Sequence, residues 1–289
     1  MPLLAAIGQP AKEDQEREKK LQERAAAADT LKEYGWFPTA VAGLNLTQAS
    51  FTDWAAGGEN SLAYNAVFAG QALHNAEKTQ WVNSLKLTFG QARLGNKSLR
   101  KTDDEIYFES LLMYKFSAIV NPYVAFTLRT QFAPGYLYDD VVGTETQISA
   151  FFDPAYLTQS AGAAFKLTPI LTTRLGVGVR EIVTNRFNQF TDDPSTAEIE
   201  KVKAQGGLES VTTLDWPIAE NMQFVSRLEL FEPFNAMDEV YARWSNLVAA
   251  KVNTYITVTL GVDVLHDVNV TRRTQIKEVL ALGLSYTLL

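Results

Sequence analysis

The sequence predicts an all-β protein: an antiparallel up-and-down transmembrane β-barrel of about 12 strands, preceded by a charged N-terminal helix. Three observations predict this fold. From Thr39 onward, apolar and polar residues alternate in long runs, and a period of two is typical of half-buried strands. Short and long connections alternate between these runs, as they do in outer-membrane barrels. No apolar run is long enough for a membrane-spanning helix, whereas barrel strands are only mildly hydrophobic.

The composition excludes several other classes of protein. The chain has 289 residues, of which 46% are hydrophobic and 20% charged, and this suits one large domain. It has no cysteine, which excludes a disulfide scaffold and a thiolate metal site, and only two histidines, His74 and His266. The net charge of −7 argues against a nucleic-acid partner. We therefore expect no cofactor, no metal and no nucleic acid.

The N-terminal region differs from the rest of the chain. Residues 1–11 are too short for a complete signal peptide, so they are either a signal-peptide remnant or a disordered terminus. Residues 12–34 carry interleaved opposite charges and a run of alanines, which predicts a solvated helix. Because Leu21 and Leu31 are its large aliphatic residues, this leader has little surface to bury. A plug or partner-binding helix is the alternative, and residues 35–289 form the predicted barrel.

The strands are assigned from alternation and from the turn residues that bound them. In the run 254–266, for example, Ile256, Val258 and Leu260 share one face, while Thr257 and Asp263 lie on the other. The predicted strands are 39–51, 60–74, 79–93, 104–118, 121–132, 155–168, 170–184, 203–215, 220–232, 237–252, 254–266 and 273–288. An even number places both ends of the barrel domain at the short-turn side.

Two further patterns concern the connections and the outward residues. The longest connections are 133–154, which is rich in aromatic residues, and 182–202, which is polar and acidic. We expect the first to constrict the lumen or to cover its rim, and the second to be exposed. Aromatic residues on the apolar face lie near the short-turn ends, as in a membrane-interface girdle; they are Trp81, Phe116, Phe165, Trp216 and Tyr286. Ser110, Ser226 and Asn246 are unexpected outward positions, so the tenth strand is left without an assigned face.

Four motifs resemble an uncharacterised family of outer-membrane barrels of Bacteroidota type, known only as a domain of unknown function. The motifs are Asn45–Gln48 with Trp54–Ser61 (WAAGGENS), Arg100–Asp104, Arg129–Tyr136, and Ile148–Tyr156. The resemblance spans about residues 35–289 and implies an outer-membrane barrel in a Gram-negative cell envelope. It implies no activity, ligand or catalytic residue. The chain departs from many such barrels because it ends in Leu289 rather than in an aromatic residue.

The polar face of the strands is expected to line the lumen. Charged side chains are tolerated there when hydrated or paired, and they are costly on the lipid face. The candidate lumen-lining or solute-binding residues are Lys86, Glu109, Lys115, Arg129, Arg174, Arg180, Arg227, Glu229, Asp263 and Lys277. This mixed, slightly basic set indicates either weakly anion-preferring permeation or an internal salt-bridge network that seals the barrel.

Two loop motifs are candidate binding sites. Trp54, Gly57, Gly58, Glu59 and Asn60 lie in the first long loop, where they form either a fixed turn or a site for a sugar or another polar solute. The basic residues of the segment 100–104 either hold lipopolysaccharide phosphates or make local ion pairs. Outer-membrane lipid is an expected partner, and the sequence does not identify a partner protein.

The main functional hypothesis is a narrow porin-like channel or binding barrel for a small polar solute, located in the outer membrane. The alternative is a closed-lumen structural or partner-binding barrel that acts through its loops and N-terminal helix. A lipid hydrolase built on His266, with Ser61, Asp267 or Asn269, lacks a recognisable serine motif, and we expect no enzymatic activity. A soluble antiparallel sandwich would show the same alternation and is a further alternative.

Overall fold

The computed structural model describes residues 34–52, 58–251, 256–284 and 286–287. Antiparallel strands account for nearly all of the regular structure. The strands are β1 (Gly35–Ala49), β2 (Ser61–Asn75), β3 (Thr79–Leu94), β4 (Arg100–Tyr114), β5 (Val120–Thr130), β6 (Gly135–Asp139), β7 (Thr144–Ser149), β8 (Ala155–Thr168), β9 (Leu171–Val183), β10 (Val202–Ala219), β11 (Met222–Pro233), β12 (Tyr241–Lys251), β13 (Ile256–Asp267), β14 (Thr271–Leu284) and β15 (Tyr286–Thr287).

Thirteen strands form one antiparallel sheet in which chain neighbours pair with each other. The exception in the chain order is β5, which pairs with β8, because β6 and β7 form a separate hairpin. The short strand β15 follows β14 after one residue and pairs with β1, where Val41 lies opposite Thr287 and Ala42 opposite Tyr286. The last strands of the chain therefore lie beside the first.

The structure confirms the all-β antiparallel fold, and each of the 12 predicted strands coincides with one of β1–β5 and β8–β14. Two features differ from the prediction. The aromatic connection 133–154 contains the β6–β7 hairpin. The connections 95–99 and 268–270 are as short as the turns, because β4 already begins at Arg100, opposite Ala92 of β3, and because Thr271 of β14 lies opposite Asp267.

The predicted helical leader lies outside the described residues, as do Trp54 and Gly57 of the first loop motif. Within the described part, the helical structure is a single 3-10 turn at Asn188–Phe190. No helix there has the length and apolar character needed to cross a membrane.

The two faces of the sheet have opposite chemistry. On β9, Arg174 and Arg180 are buried, whereas Leu175, Val177 and Val179 are 51%, 55% and 40% exposed. Most of the other strands repeat this alternation, whereas on β14 residues 272–278 are all exposed. We call the face with the buried charges the inner face and the other the outer face. A soluble sandwich buries its apolar face and exposes its charges, so this arrangement is the reverse of what that alternative predicts.

Toward the short turns, the inner face buries apolar residues beside polar ones such as Asn75, Gln80 and Gln223. Val41, Val67 and Leu73 of β1 and β2 are buried, as are Val225 and Leu247 of β11 and β12.

Candidate functional site

The central feature of the inner face is an ion pair between strands that are not neighbours in the sheet. Nη2 of Arg227 on β11 lies 3.1 Å from Oε1 of Glu109 on β4, and it also donates to the hydroxyl of Tyr107 at 3.3 Å. Five pairing steps separate β4 from β11 in the strand order. The contact therefore crosses the space enclosed by the inner face.

Glu109 also binds a second arginine from a third strand. Nη2 of Arg174 on β9 lies 2.6 Å from Oε1 of Glu109. On its other side, Nε of Arg174 is 3.8 Å from Glu209 of β10. The Glu209 carboxylate accepts hydrogen bonds from the Tyr123 hydroxyl at 3.1 Å and the Ser160 hydroxyl at 2.5 Å. Glu109 and Arg174 thus tie three parts of the sheet together.

Glu105 is the second carboxylate at which several cations meet. Arg129 lies 3.1 Å from it, Lys86 3.5 Å and Arg243 of β12 3.6 Å. The same Arg129 lies 3.6 Å from Glu229 of β11. Because Glu229 also pairs with Arg227 at 2.8 Å, the two carboxylate centres belong to one connected network.

A separate buried pair lies nearer the long connections. Nη2 of Arg180 donates to Oδ2 of Asp267 at 2.6 Å, and both side chains are almost completely buried. The Arg180 guanidinium lies 4.2 Å from the centre of the Tyr241 ring and 5.5 Å from that of Tyr156. Cation–π contacts of this kind add to the stability of a desolvated arginine.

These pairs neutralise charges of the inner face that are buried, as at Arg174 and Arg180, or half-buried, as at Arg129. A buried charge is tolerated when it is paired and hydrogen-bonded. The network therefore connects distant strands of the sheet across the space that the inner face lines. Two cavities, of about 220 Å³ and about 520 Å³, border it.

The structure places most of the predicted lumen-lining residues around this network. Lys86, Glu109, Arg129, Arg174, Arg227 and Glu229 join in it, directly or through Glu105, and Arg180 pairs with Asp267. Lys277 lies 3.4 Å from Asp103, and Asp263 lines the larger cavity opposite Lys277 in the strand register. Lys115 instead follows the end of β4 and donates to Asn75 and to the carbonyl of Ala76, so it braces a turn.

The sequence-based set did not include Asp103, Glu105, Arg243 or Asp267. Glu105 has the same strand parity as Glu109, so alternation alone could have identified it. The sequence assigns Arg243 to neither face, because the tenth predicted strand contains the unexpected outward residue Asn246. That strand, β12, pairs with both neighbours without a register shift, and its alternation places Arg243 on the inner face.

The outward polar residues are explained by two matching hydrogen-bonded triads on the outer face. Nε1 of Trp244 donates to the Ser226 hydroxyl at 2.9 Å, and this hydroxyl donates to Oδ1 of Asn246 at 2.8 Å. On β3 and β4, Trp81 donates to Ser110, which donates to Asn83, at the same two distances. In each triad, the serine lies directly opposite the asparagine in the register. These polar groups satisfy one another instead of facing an apolar environment alone.

The described part of the first loop motif forms a fixed turn. Oδ1 of Asn60 accepts the backbone N–H of Phe51 at 2.7 Å, and the Asn60 carbonyl accepts the N–H of Gly95 at 2.7 Å. Gly58 has a φ of +154°, and a Cβ there would lie 2.6 Å from the Phe51 ring. The Glu59 side chain packs against Gly95, where an added Cβ would likewise clash with the Glu59 carboxylate.

The segment 100–104 anchors the β6–β7 hairpin. Arg100 and Lys97 both donate to Asp140, at 2.5 Å and 2.8 Å, and the Arg100 guanidinium lies 4.1 Å from the centre of the Tyr138 ring. These hydrogen bonds, first that from Arg100, hold the pKa of the Asp140 carboxyl well below its usual range. Arg100 and Lys97 are thus engaged within the protein.

Other motif residues connect the strand ends below this hairpin. Oδ1 and Oδ2 of Asp104 accept the backbone N–H groups of Phe132 and Ala133 at 2.7 Å and 2.9 Å. The side-chain amide of Gln131 donates to the carbonyls of Ala150 and Asp153. Three of the four sequence motifs therefore contact one another in the structure.

Residues 46–136 match a family model described as "Protein of unknown function (DUF3078)". The resemblance to an uncharacterised family is thereby confirmed for this segment, which contains the motifs 100–104 and 129–136 and all of the first motif except Asn45. No curated protein matches the chain.

Two solved structures are similar in outline. The translocator domain of the autotransporter NalP from Neisseria meningitidis is 11% identical, with a TM-score of 0.39, and the match covers 94% of this chain and 97% of that one. The COG4313 outer membrane channel from Pseudomonas putida F1 is 12% identical, with a TM-score of 0.42, and the match covers 89% and 96%. At this degree of similarity, neither structure informs the function of this chain.

Proposed function

We propose that the chain forms a closed up-and-down β-barrel in the outer membrane of a Gram-negative bacterium, with a lumen sealed by ion pairs between opposite walls. The barrel then acts through its loops and N-terminal segment, as a structural or partner-binding protein. The ion pair between Arg227 and Glu109 carries this proposal, because it spans the interior between distant strands.

The outer face supports the membrane location. Large apolar side chains are exposed on this face on strands from β3 to β13. Their exposure would be unfavourable in water and is favourable in lipid. They include Trp81, Leu112, Val124, Leu175, Val177, Leu208, Trp216, Trp244 and Leu260. The contact of this face with outer-membrane lipid is part of the proposal.

The strand order supports closure of the barrel. A sheet in lipid must leave no unpaired edge, because no water is available to hydrogen-bond the free backbone groups. The pairing of Val41 and Ala42 with residues 287 and 286 supplies the contact that would join the last strand to the first.

The interior favours a sealed lumen over an open porin. A permeation path needs hydrated charges along a continuous opening, whereas Glu109 is engaged by two arginines and Glu105 lies within 3.6 Å of three cations. The cavity of about 520 Å³ is the observation that favours the second candidate, a barrel that binds a small polar solute.

Two other hypotheses receive less support from the contacts. Arg100 and Lys101 bind Asp140 and Asp104, so the pairing of these cations with lipopolysaccharide phosphates would require them to break ion pairs. Nδ1 of His266 lies 3.3 Å from the Thr274 hydroxyl, an arrangement that does not resemble a base oriented by a carboxylate. We therefore propose no enzymatic activity.

Single cysteines test the membrane-embedded barrel, because the natural chain contains none. Val177→Cys and Leu208→Cys place a bimane label on the outer face, and Thr127→Cys places it on the inner face. In liposomes that contain brominated lipid, we expect strong quenching at the two outer positions and little at Thr127. Equal quenching at all three positions would contradict the proposal.

A further inference from the structure

The smaller cavity of the interior has the features of a binding site. It has a volume of about 220 Å³ and is lined by four arginines, Arg129, Arg174, Arg180 and Arg243, but by only three carboxylates. The lining alone therefore carries one more positive than negative formal charge, and Glu105 and Glu109, which pair with Arg129, Arg243 and Arg174, lie outside it. At roughly 30 Å³ per water molecule, this volume equals about seven waters.

Arg174 provides this cavity with a buried hydrogen-bond donor. Arg174 is only 6% exposed, and its Nε has no hydrogen-bond partner among the described residues. Glu109 pairs with Nη2 of Arg174, and the carboxylate beside Nε, Glu209 at 3.8 Å, already accepts hydrogen bonds from Tyr123 and Ser160. Because a guanidinium carries five N–H groups, a ligand oxygen at Nε would complete the bonding of Arg174.

The rest of the lining is aromatic and apolar. The rings of Tyr107, Tyr156 and Tyr241 face the cavity together with Val211 and Leu265. A fully hydrophilic anion such as phosphate would leave this part of the wall without a partner, whereas an aromatic or apolar body would pack against it. Val270 also lines the cavity and is 40% exposed, so one wall reaches the surface at the connection 268–270.

We propose that this cavity binds a small monocarboxylate with an aromatic or apolar body, whose carboxylate pairs with Arg174 while its body packs among the tyrosines. The inference rests on the proposed function in that the interior is taken as a sealed lumen. It assigns a ligand class to the cavity of about 220 Å³ beside the charged network. This binding does not require any ion to cross the barrel.

Calorimetric titration of the full-length barrel, refolded in detergent, with benzoate and benzamide tests the proposal. These probes have the same ring and differ in charge. We expect saturable binding of benzoate and at least tenfold weaker binding of benzamide. The absence of benzoate binding to the folded protein, or equal affinity for the two probes, would overturn the proposal.

Two variants locate the site. Val211→Phe fills the cavity without changing its charge, and Val270→Phe narrows its surface end at an exposed position that tolerates substitution. We expect each variant to weaken benzoate binding at least tenfold, while Val202→Phe, an exposed position that does not line the cavity, leaves it unchanged. Wild-type affinity in both cavity variants would overturn the assignment. Ion conduction by the wild type would overturn the sealed lumen, while the benzoate titration would still decide this proposal.

Discussion

Arg227 on β11 and Glu109 on β4 lie 3.1 Å apart, although they belong to distant strands of the sheet. Strand pairing does not bring these two residues together, because β11 pairs with β10 and β12, and β4 pairs with β3 and β5. The contact therefore depends on the curvature of the whole sheet. Its energetic role can be measured directly.

Loss of Glu109 should destabilise the protein strongly, because two arginines would lose their shared partner. We expect Glu109→Gln to lower the free energy of unfolding by about 3–5 kcal/mol, as is usual when one member of a buried ion pair is removed. Urea unfolding of the refolded protein measures this loss. With Arg227→Met added, the double variant should lose less than the sum of the single losses. Strict additivity would show that the two residues do not interact.

The outer-face triads should contribute through satisfied hydrogen bonds. Ser226→Ala leaves the indole N–H of Trp244 and Oδ1 of Asn246 without their shared partner, and lipid offers no water in exchange. We expect a loss of about 1–3 kcal/mol in the free energy of unfolding. Ser245→Ala, on the neighbouring strand but beside the larger cavity, is the matched control. Equal losses in the two variants would argue against a role for the triad.

Arg100 and Lys97 hold the β6–β7 hairpin through Asp140, and we call these contacts the clamp. The clamp should persist in acid. Because the pKa of Asp140 is lowered in the folded protein, the stabilisation by its ionised form is present above the unfolded pKa of about 3.9 and is lost only as pH falls through the lower folded value. Pepsin digestion at pH 4 should therefore spare Leu137 and Tyr138 in the wild type and cleave there in Asp140→Asn. The exposed Glu145→Gln serves as a control. Identical digestion of wild type and Asp140→Asn would disprove the clamp.

The first loop motif should depend on Gly58. An alanine at position 58 would clash with the Phe51 ring and would also have an unfavourable positive φ. Gly143 has a positive φ of +76° too, but it has open space around it. We expect Gly58→Ala to accelerate hydrogen exchange at the Phe51 amide at least tenfold, because the bond to Asn60 would be displaced. Gly143→Ala is the control, because it introduces the unfavourable φ without a steric clash. Unchanged exchange in Gly58→Ala would show that the turn is not fixed by this glycine.

Alternation predicted the strands and faces well because each strand follows a local rule with a period of two. Local rules do not specify which charges meet across the interior, since this depends on strand tilt and curvature. Glu105 illustrates the difference: its face follows from parity, but its contacts with Lys86, Arg129 and Arg243 require the folded sheet.

Two differences between the sequence-based prediction and the structure have specific physical causes. Alternation alone makes Asn246 too polar for an outward position, because the sequence does not show that Ser226 lies opposite it. The sequence predicts a loop at the β6–β7 hairpin, because its two strands are too short to show clear alternation. In the first case a hydrogen bond between strands satisfies the outward asparagine. In the second case two short strands pair with each other. Neither feature is visible in the alternation of single residues.

The sealed lumen is the central claim, and planar-bilayer conductance of the refolded wild-type protein tests it most directly. We predict a stably inserted protein that carries no discrete ionic current, and a measurable current when Glu109→Ala and Arg227→Ala are combined, because the contact across the interior is then removed. Discrete current steps from the wild type would contradict the account and would favour the porin-like channel.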